Sequence, residues 1–173
     1  MDIRTVIFAA LVLIFLVPGR ISAQEADRIK WVSLDGAMDY SKRQNKMILV
    51  FIQTEWCGWC KMMEKKTFQN QTVINYMNEN YFAVRMDVLQ KEDIWFKGFR
   101  FQYMPQLQAH QLAYQLLDGK LKYPSLVIMN YKAEVITPIY GFMDGKQLVK
   151  ILTYYAEGIY ETQSWDQYRR QRK

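Results

Sequence analysis

The chain is 173 residues long, half of them apolar or aromatic, with a formal net charge of +6. One ordinary domain with a proper core fits that length, and a second domain does not. Basic residues are spread along the chain outside the closing "RRQRK" at 169–173, which argues against a nucleic-acid surface, and two cysteines are too few for the stapled framework of small exported domains.

Residues 1–23, "MDIRTVIFAALVLIFLVPGRISA", have the layout of a secretory signal. Arg4 supplies the positive start, Thr5 to Val17 the apolar stretch, Pro18 and Gly19 a helix break, and Ser22 and Ala23 the small residues before a cut that leaves Gln24 first. The apolar stretch falls short of the roughly 20 residues a spanning helix needs, so no stable membrane insertion is expected after cleavage. The mature protein is predicted to be periplasmic or secreted, in an oxidising compartment where disulfides persist.

Residues 24–157 read as one domain without repeat or linker, and 158–173 as a basic, solvated tail. A short strand near Ile29 to Val32 leads into a helix from about Asp35, with Ala37, Met38 and Ser41 on one face. "MILVFIQ", 47–53, is apolar and β-branched almost throughout, the pattern of a strand covered on both faces and hence of the sheet's centre. The segment "EWCGWCK", 55–61, follows directly and runs into helix formers with an apolar stripe of Cys60, Met63 and Thr67. A helix over about 71–80 and an alternating strand over 81–88 come next.

An insertion, "KEDIWFKGFRFQYMPQ", 91–106, then alternates Phe99, Phe101 and Tyr103 around polar residues, as a hairpin arm would, with its aromatics read as extra core ahead of a substrate platform. A helix over about 108–117, stopping at Gly119, precedes two strands, "SLVIMNY" and "EVITPIY", joined by a tight turn near Lys132 and Ala133. The closing helix starts at Asp144, with Gln147 placed for a capping box, and should bury Leu148, Ile151, Leu152 and Tyr155. Alternation at the start implies a parallel crossover and the closing pair a hairpin, so the predicted class is α/β: a mixed central sheet flanked by helices.

Cysteines three apart on a helix share a face at about 5–6 Å, a separation that suits a disulfide which opens and closes with little backbone movement. Cys57, at the first helical turn, meets unpaired N–H groups and the positive end of the dipole, both of which favour thiolate. Cys60 lies one turn inside, as a protected resolving thiol would. Gly58 allows close approach of a substrate backbone, and Trp56 and Trp59 offer flat apolar surface beside the sulfur.

"ILVFIQTEWCGWCKMM" resembles the active-site segment of the thioredoxin superfamily, in particular the exported thioredoxin-like proteins of bacteria with a "WCGWCK" core. "YPSLVIMN", 123–130, is similar to the family's second signature. The resemblance implies a thioredoxin fold, a cis Pro124 facing the dithiol, and a Tyr123 backbone that pairs with bound peptide. It also implies catalysis by Cys57 and Cys60 without cofactor or metal, on cysteine-containing exported proteins. Two departures stand out: Phe51 occupies the position, six before Cys57, of thioredoxin's buried aspartate, and the 91–106 insertion has no counterpart in thioredoxin. Glu55 is the nearest acid in sequence.

Gly58 and Trp59 add no charge between the cysteines, and Glu55 opposes a thiolate while Lys61 favours it. The direction expected is therefore reductase or isomerase rather than oxidase, with electrons from a membrane-embedded thiol–disulfide relay. Two alternatives stay open: a copper- or zinc-binding C-x-x-C module and a redox-silent thioredoxin-like binding domain. A closed zinc site wants four ligands, whereas this chain has two cysteines and one histidine; His110 reads as a surface or capping residue, and Met62, Met63 and Met77 as core filling.

Overall fold

The computed structural model describes residues 27–171, so the signal sequence predicted at 1–23 lies outside the described residues. Strand β1 (Trp31–Val32) is shorter than the sequence predicted, because only these two residues pair. Helix α1 (Leu34–Gln44) begins one residue before Asp35: Ser33 is its cap, its hydroxyl accepting the Gly36 N–H at 3.1 Å. Strand β2 (Met47–Gln53) leads to α2 (Gly58–Met62), which continues as a π-helical turn (Met63–Thr67). Helix α3 (Gln71–Asn80), capped by the Asn70 side chain, and strand β3 (Tyr81–Asp87) follow.

The insertion folds as β4 (Ile94–Phe96) and β5 (Phe99–Phe101), turned at Lys97 and Gly98, both at positive φ, and then as β6 (Tyr103–Met104) with β7 (Ala109–His110). Phe96 and Phe101 are buried, as extra core, while Trp95 and Phe99 face solvent. Helix α4 (Gln111–Leu116) starts later than the sequence predicted, since Gln108 has positive φ and Ala109 and His110 pair as a strand first. The hairpin β8 (Ser125–Met129) and β9 (Val135–Tyr140) precedes α5 (Gly145–Ala156). The capping box forms: Asp144 accepts the Gln147 N–H at 2.8 Å and Gln147 reciprocates. On α5, Leu148, Leu152 and Tyr154 are buried, while Ile151 and Tyr155 are only half-buried.

The sheet order is β1-β3-β2-β8-β9, with β1, β3 and β2 parallel and β8 and β9 antiparallel to their neighbours. β2 is central, and its alternation divides the core. Leu49 and Phe51 face one cluster, with Cys57, Cys60, Met63, Met77 and Leu148; Ile48, Val50 and Ile52 face the other, with Leu112, Leu116 and Val127. Burying each such side chain contributes about 1.5–3 kcal/mol, so both faces of β2 anchor the strand whose end carries the cysteine segment. This is the thioredoxin fold, with an aromatic arm inserted before α4.

The tail differs from expectation. A 3-10 turn (Ile159–Glu161) and helix α6 (Trp165–Gln171) pack on the domain, with Tyr168 buried. Trp165 and Tyr168 close on Tyr154 at ring distances of 5.3 and 5.2 Å, apolar burial that outweighs the charge of the surrounding sequence. Among the described residues no helix is long and apolar enough to cross a membrane.

Candidate active site

β2 delivers its last residues to a turn in which the Cys57 N–H donates to the Thr54 carbonyl at 3.1 Å. Cys57 is then the N-cap of α2, in extended conformation, and its Sγ accepts the Cys60 N–H at 3.1 Å. The two sulfurs form a disulfide with Cα atoms 5.2 Å apart. Cys57 keeps 6% of its surface exposed and Cys60 none, so solvent reaches the pair only from the Cys57 side. A Cβ built on Gly58 meets nothing within 4 Å, which leaves the outer face of the first turn open.

Trp56 and Trp59 stand in solvent, 68% and 63% exposed. Each leans on one ring from the β8–β9 side: Trp56 on Tyr123 at 5.9 Å, and Trp59 on Phe142 at 5.5 Å. The register explains this meeting, for Ile52 near the end of β2 pairs with Ser125, the first residue of β8, so the Tyr123-Pro124 segment arrives beside the strand end that feeds the cysteines. The Tyr123-Pro124 peptide is cis, and the Pro124 carbonyl accepts the Gly141 N–H at 2.8 Å. Burial and, second to it, the Asp87 charge push the Tyr123 phenol up to about 12, so it remains a protonated donor at neutral pH.

The structure thus gathers Trp56, Cys57, Gly58, Trp59, Cys60 and Tyr123 in one place. Phe51 is fully buried, with its ring against Phe68 at 4.9 Å, and among the described residues no carboxylate is buried in the core. Glu55 is exposed. Two participants escaped the sequence reading. Phe142 shows only as an apolar residue in a loop, and Thr54 is a buried hydroxyl without a hydrogen-bond partner, directly before the motif.

The other residues weighed as metal ligands have structural places of their own. His110 is fully buried rather than on the surface: it caps α4, Nδ1 accepting the Leu112 N–H at 3.2 Å, and Nε2 meets the Glu92 carbonyl at 3.2 Å. Met63 and Met77 fill core, but Met62 is 36% exposed because it lies on the outer side of α2. Among the described residues no three His, Cys, Asp or Glu side chains converge.

Three similarities place the chain. It is 36% identical over 58 residues, 34% of its length, to spermatogenesis-associated protein 20 of Rattus norvegicus, and the match spans only 7% of that protein. The structure titled "DsbH Oxidoreductase" superposes with a TM-score of 0.58 over 78% of this chain and 88% of its own, at 19% identity. A thioredoxin from Thermus thermophilus does so with a TM-score of 0.56 over 74% and 87%, at 17% identity. The superposed structures share the fold, and in this chain a disulfide-bonded cysteine pair lies just after its central strand. Residues 20–139, well over half of the chain, match the family described as Thioredox_DsbH, a protein of unknown function (DUF255), and the chain belongs to that family.

Proposed function

We propose that the protein is an exported thiol–disulfide oxidoreductase that exchanges disulfides with cysteine-containing proteins, as a reductase or isomerase. The observation that carries this reading is the asymmetry of the pair. Cys57 sits at the helix cap with its sulfur accepting an amide N–H, while Cys60 is sealed inside. A donated N–H and the helix end both favour the Cys57 thiolate, the attacking species.

The reaction balances with two electrons and two protons. The Cys57 thiolate attacks one sulfur of a substrate disulfide, that bond breaks, and a mixed disulfide forms as the first substrate thiolate leaves. Cys60, once deprotonated, attacks Cys57, closes the internal disulfide and releases the second substrate thiolate; both leaving thiolates take up protons. Trp56, Gly58, Trp59, Tyr123 and Pro124 form the surface where substrate lies, with the Tyr123 backbone offered for extended pairing. The cycle uses no cofactor.

Direction follows from charge. Exposed Lys61 is the cation next to the pair in sequence and exposed Glu55 adds negative charge, so the thiolate is not stabilised to the extent a strong oxidant requires. An exported reductant draws its electrons from across the membrane, and a membrane-embedded thiol–disulfide relay is the partner that supplies them. Reduction of insulin in the presence of dithiothreitol tests the activity: turnover above the uncatalysed rate is expected, and its absence contradicts the reading. Equilibration with glutathione buffers tests the direction. A potential near the −270 mV typical of thioredoxin is expected, and one above about −150 mV makes the protein an oxidant.

A further inference from the structure

The loop that joins β9 to α5, residues 141–143, is held at each of its three residues by a different part of the active-site framework. The Gly141 N–H donates to the carbonyl of Pro124, in the cis segment, at 2.8 Å. Gly141 has a φ of 97°, a conformation that suits glycine, and there the chain leaves the outer strand of the sheet. The Phe142 ring then lies 5.5 Å from that of Trp59, which sits between the two cysteines in sequence. The Met143 carbonyl accepts the Thr67 hydroxyl at 2.6 Å, in a buried hydrogen bond between residues 76 apart in sequence.

A threonine hydroxyl in a helix ordinarily bonds a carbonyl of its own preceding turn. Thr67 ends the π-helical turn that continues α2, and its hydroxyl reaches another element instead. Such turns are rare and gather at functional sites, and their wider winding shifts the phase of the side chains that follow. Thr67 and Met143 are both buried, so removing the hydroxyl takes a donor from a carbonyl that water does not reach. We propose that Thr67 is a positioning residue for protein substrates: its hydroxyl fixes the 141–143 loop, and through it the Phe142 ring that closes the Trp59 side of the substrate surface. This proposal deepens the exchange reading and rests on it for the substrate. A ring held against Trp59 keeps an apolar rim in place before a substrate arrives, whereas a loosened loop must be ordered at each encounter, which weakens binding without altering the sulfur chemistry. A protein chain crosses that rim. A small disulfide reaches Cys57 without it, so Thr67 favours protein disulfides over small ones.

The test follows single-turnover exchange of the reduced protein, freed of reductant, with insulin and with hydroxyethyl disulfide, read by acid quenching and mass spectrometry. Thr67→Val keeps the outline of the side chain and removes the hydroxyl. It should slow the second-order reaction with insulin about three- to tenfold, the worth of one buried hydrogen bond, and leave the rate with hydroxyethyl disulfide within about twofold of the parent. Thr67→Ser, which restores the donor, should recover the insulin rate. Phe142→Ala should lower the insulin rate by a similar factor, and adding Thr67→Val to it should cost nothing further, since the hydroxyl acts through that ring. Equal slowing with both disulfides, an unchanged insulin rate in Thr67→Val, no recovery in Thr67→Ser, or additive losses in the double variant would each overturn the proposal. If Thr67→Val fails to fold, Thr67→Ala takes its place under the same criteria, and an insulin rate unchanged in Phe142→Ala overturns the proposal whatever Thr67 variants do. Exchange by the parent with neither disulfide removes the exchange reading; exchange with both, and no selective loss in the variants, removes only the role of Thr67.

Discussion

Trp56 and Trp59 stand more than 60% exposed beside the cysteines, each touching one other ring, whereas Tyr154 in the C-terminal cluster is buried and meets the rings of Tyr155, Tyr160, Trp165 and Tyr168. Both regions are rich in aromatics and both border a helix. They differ in what the rings do. In the C-terminal cluster they remove apolar area from water and attach α6 to the domain, and the Tyr154 hydroxyl donates to the Gln163 carbonyl at 2.6 Å. Beside the dithiol that gain is forgone, and large flat surfaces are left in water next to the one sulfur that solvent reaches. Exposure, rather than residue type, separates the rings left open to solvent beside the dithiol, the proposed substrate surface, from those used to hold the chain together.

Substitutions can break this contrast in graded ways. The greatest effect belongs to Cys57→Ser, which should abolish insulin reduction, a loss of at least about a thousandfold, because no other thiol is placed to attack. Cys60→Ser should retain the first attack in a single turnover and accumulate the mixed disulfide, readable by mass spectrometry. If Cys60→Ser is instead inert and Cys57→Ser still attacks, the roles are reversed. Next comes Tyr168→Ala, in the other aromatic region. Removing this buried ring should cost about 3–5 kcal/mol of unfolding free energy by chemical denaturation, with turnover per folded molecule unchanged. A large fall in turnover at unchanged stability would erase the distinction between the regions.

A smaller effect is expected for Trp59→Ala: stability within about 0.5 kcal/mol of the parent, but kcat/KM for insulin lower by roughly tenfold, mostly through KM. A drop in stability like that of Tyr168→Ala would place Trp59 among packing residues. The smallest effect is a pH dependence. Burial holds the His110 imidazole below its ordinary value, so the unfolded chain takes up the proton first. Its contribution to stability is complete above about pH 6.5 and is lost as pH falls below that, toward the depressed native value. Urea denaturation at pH 7.5 and 5.5 should show the loss, and His110→Gln should flatten that part of the profile; an unchanged slope would mean that His110 does not set it.

What was legible in the sequence was local. Strand β2, with apolar residues on both faces, helix α3 and the Asp144 capping box are each encoded within a few residues and appear at the expected places. The cysteine segment was legible for the same reason, since the end of a buried strand, a turn and a helix cap follow one another without interruption. The rest depends on contacts distant in sequence. Trp165 and Tyr168 sit in a charged stretch that reads as solvated until Tyr154 is brought against them. His110 is polar and yet buried, because Glu92 from the start of the insertion and the first turn of α4 satisfy both ring nitrogens. Phe142 carries no signal in sequence beyond an apolar side chain, and its meeting with Trp59 exists only in the fold.

The central claim is that Cys57 is the attacking thiolate and Cys60 its sealed partner, and alkylation of the reduced protein tests it most directly. Iodoacetamide labelling across pH, followed site by site by mass spectrometry, should show Cys57 reacting first, with an apparent pKa below the 8.5 of a free cysteine, and Cys60 reacting far more slowly at every pH. Equal rates at the two cysteines throughout, or faster labelling of Cys60, would contradict it.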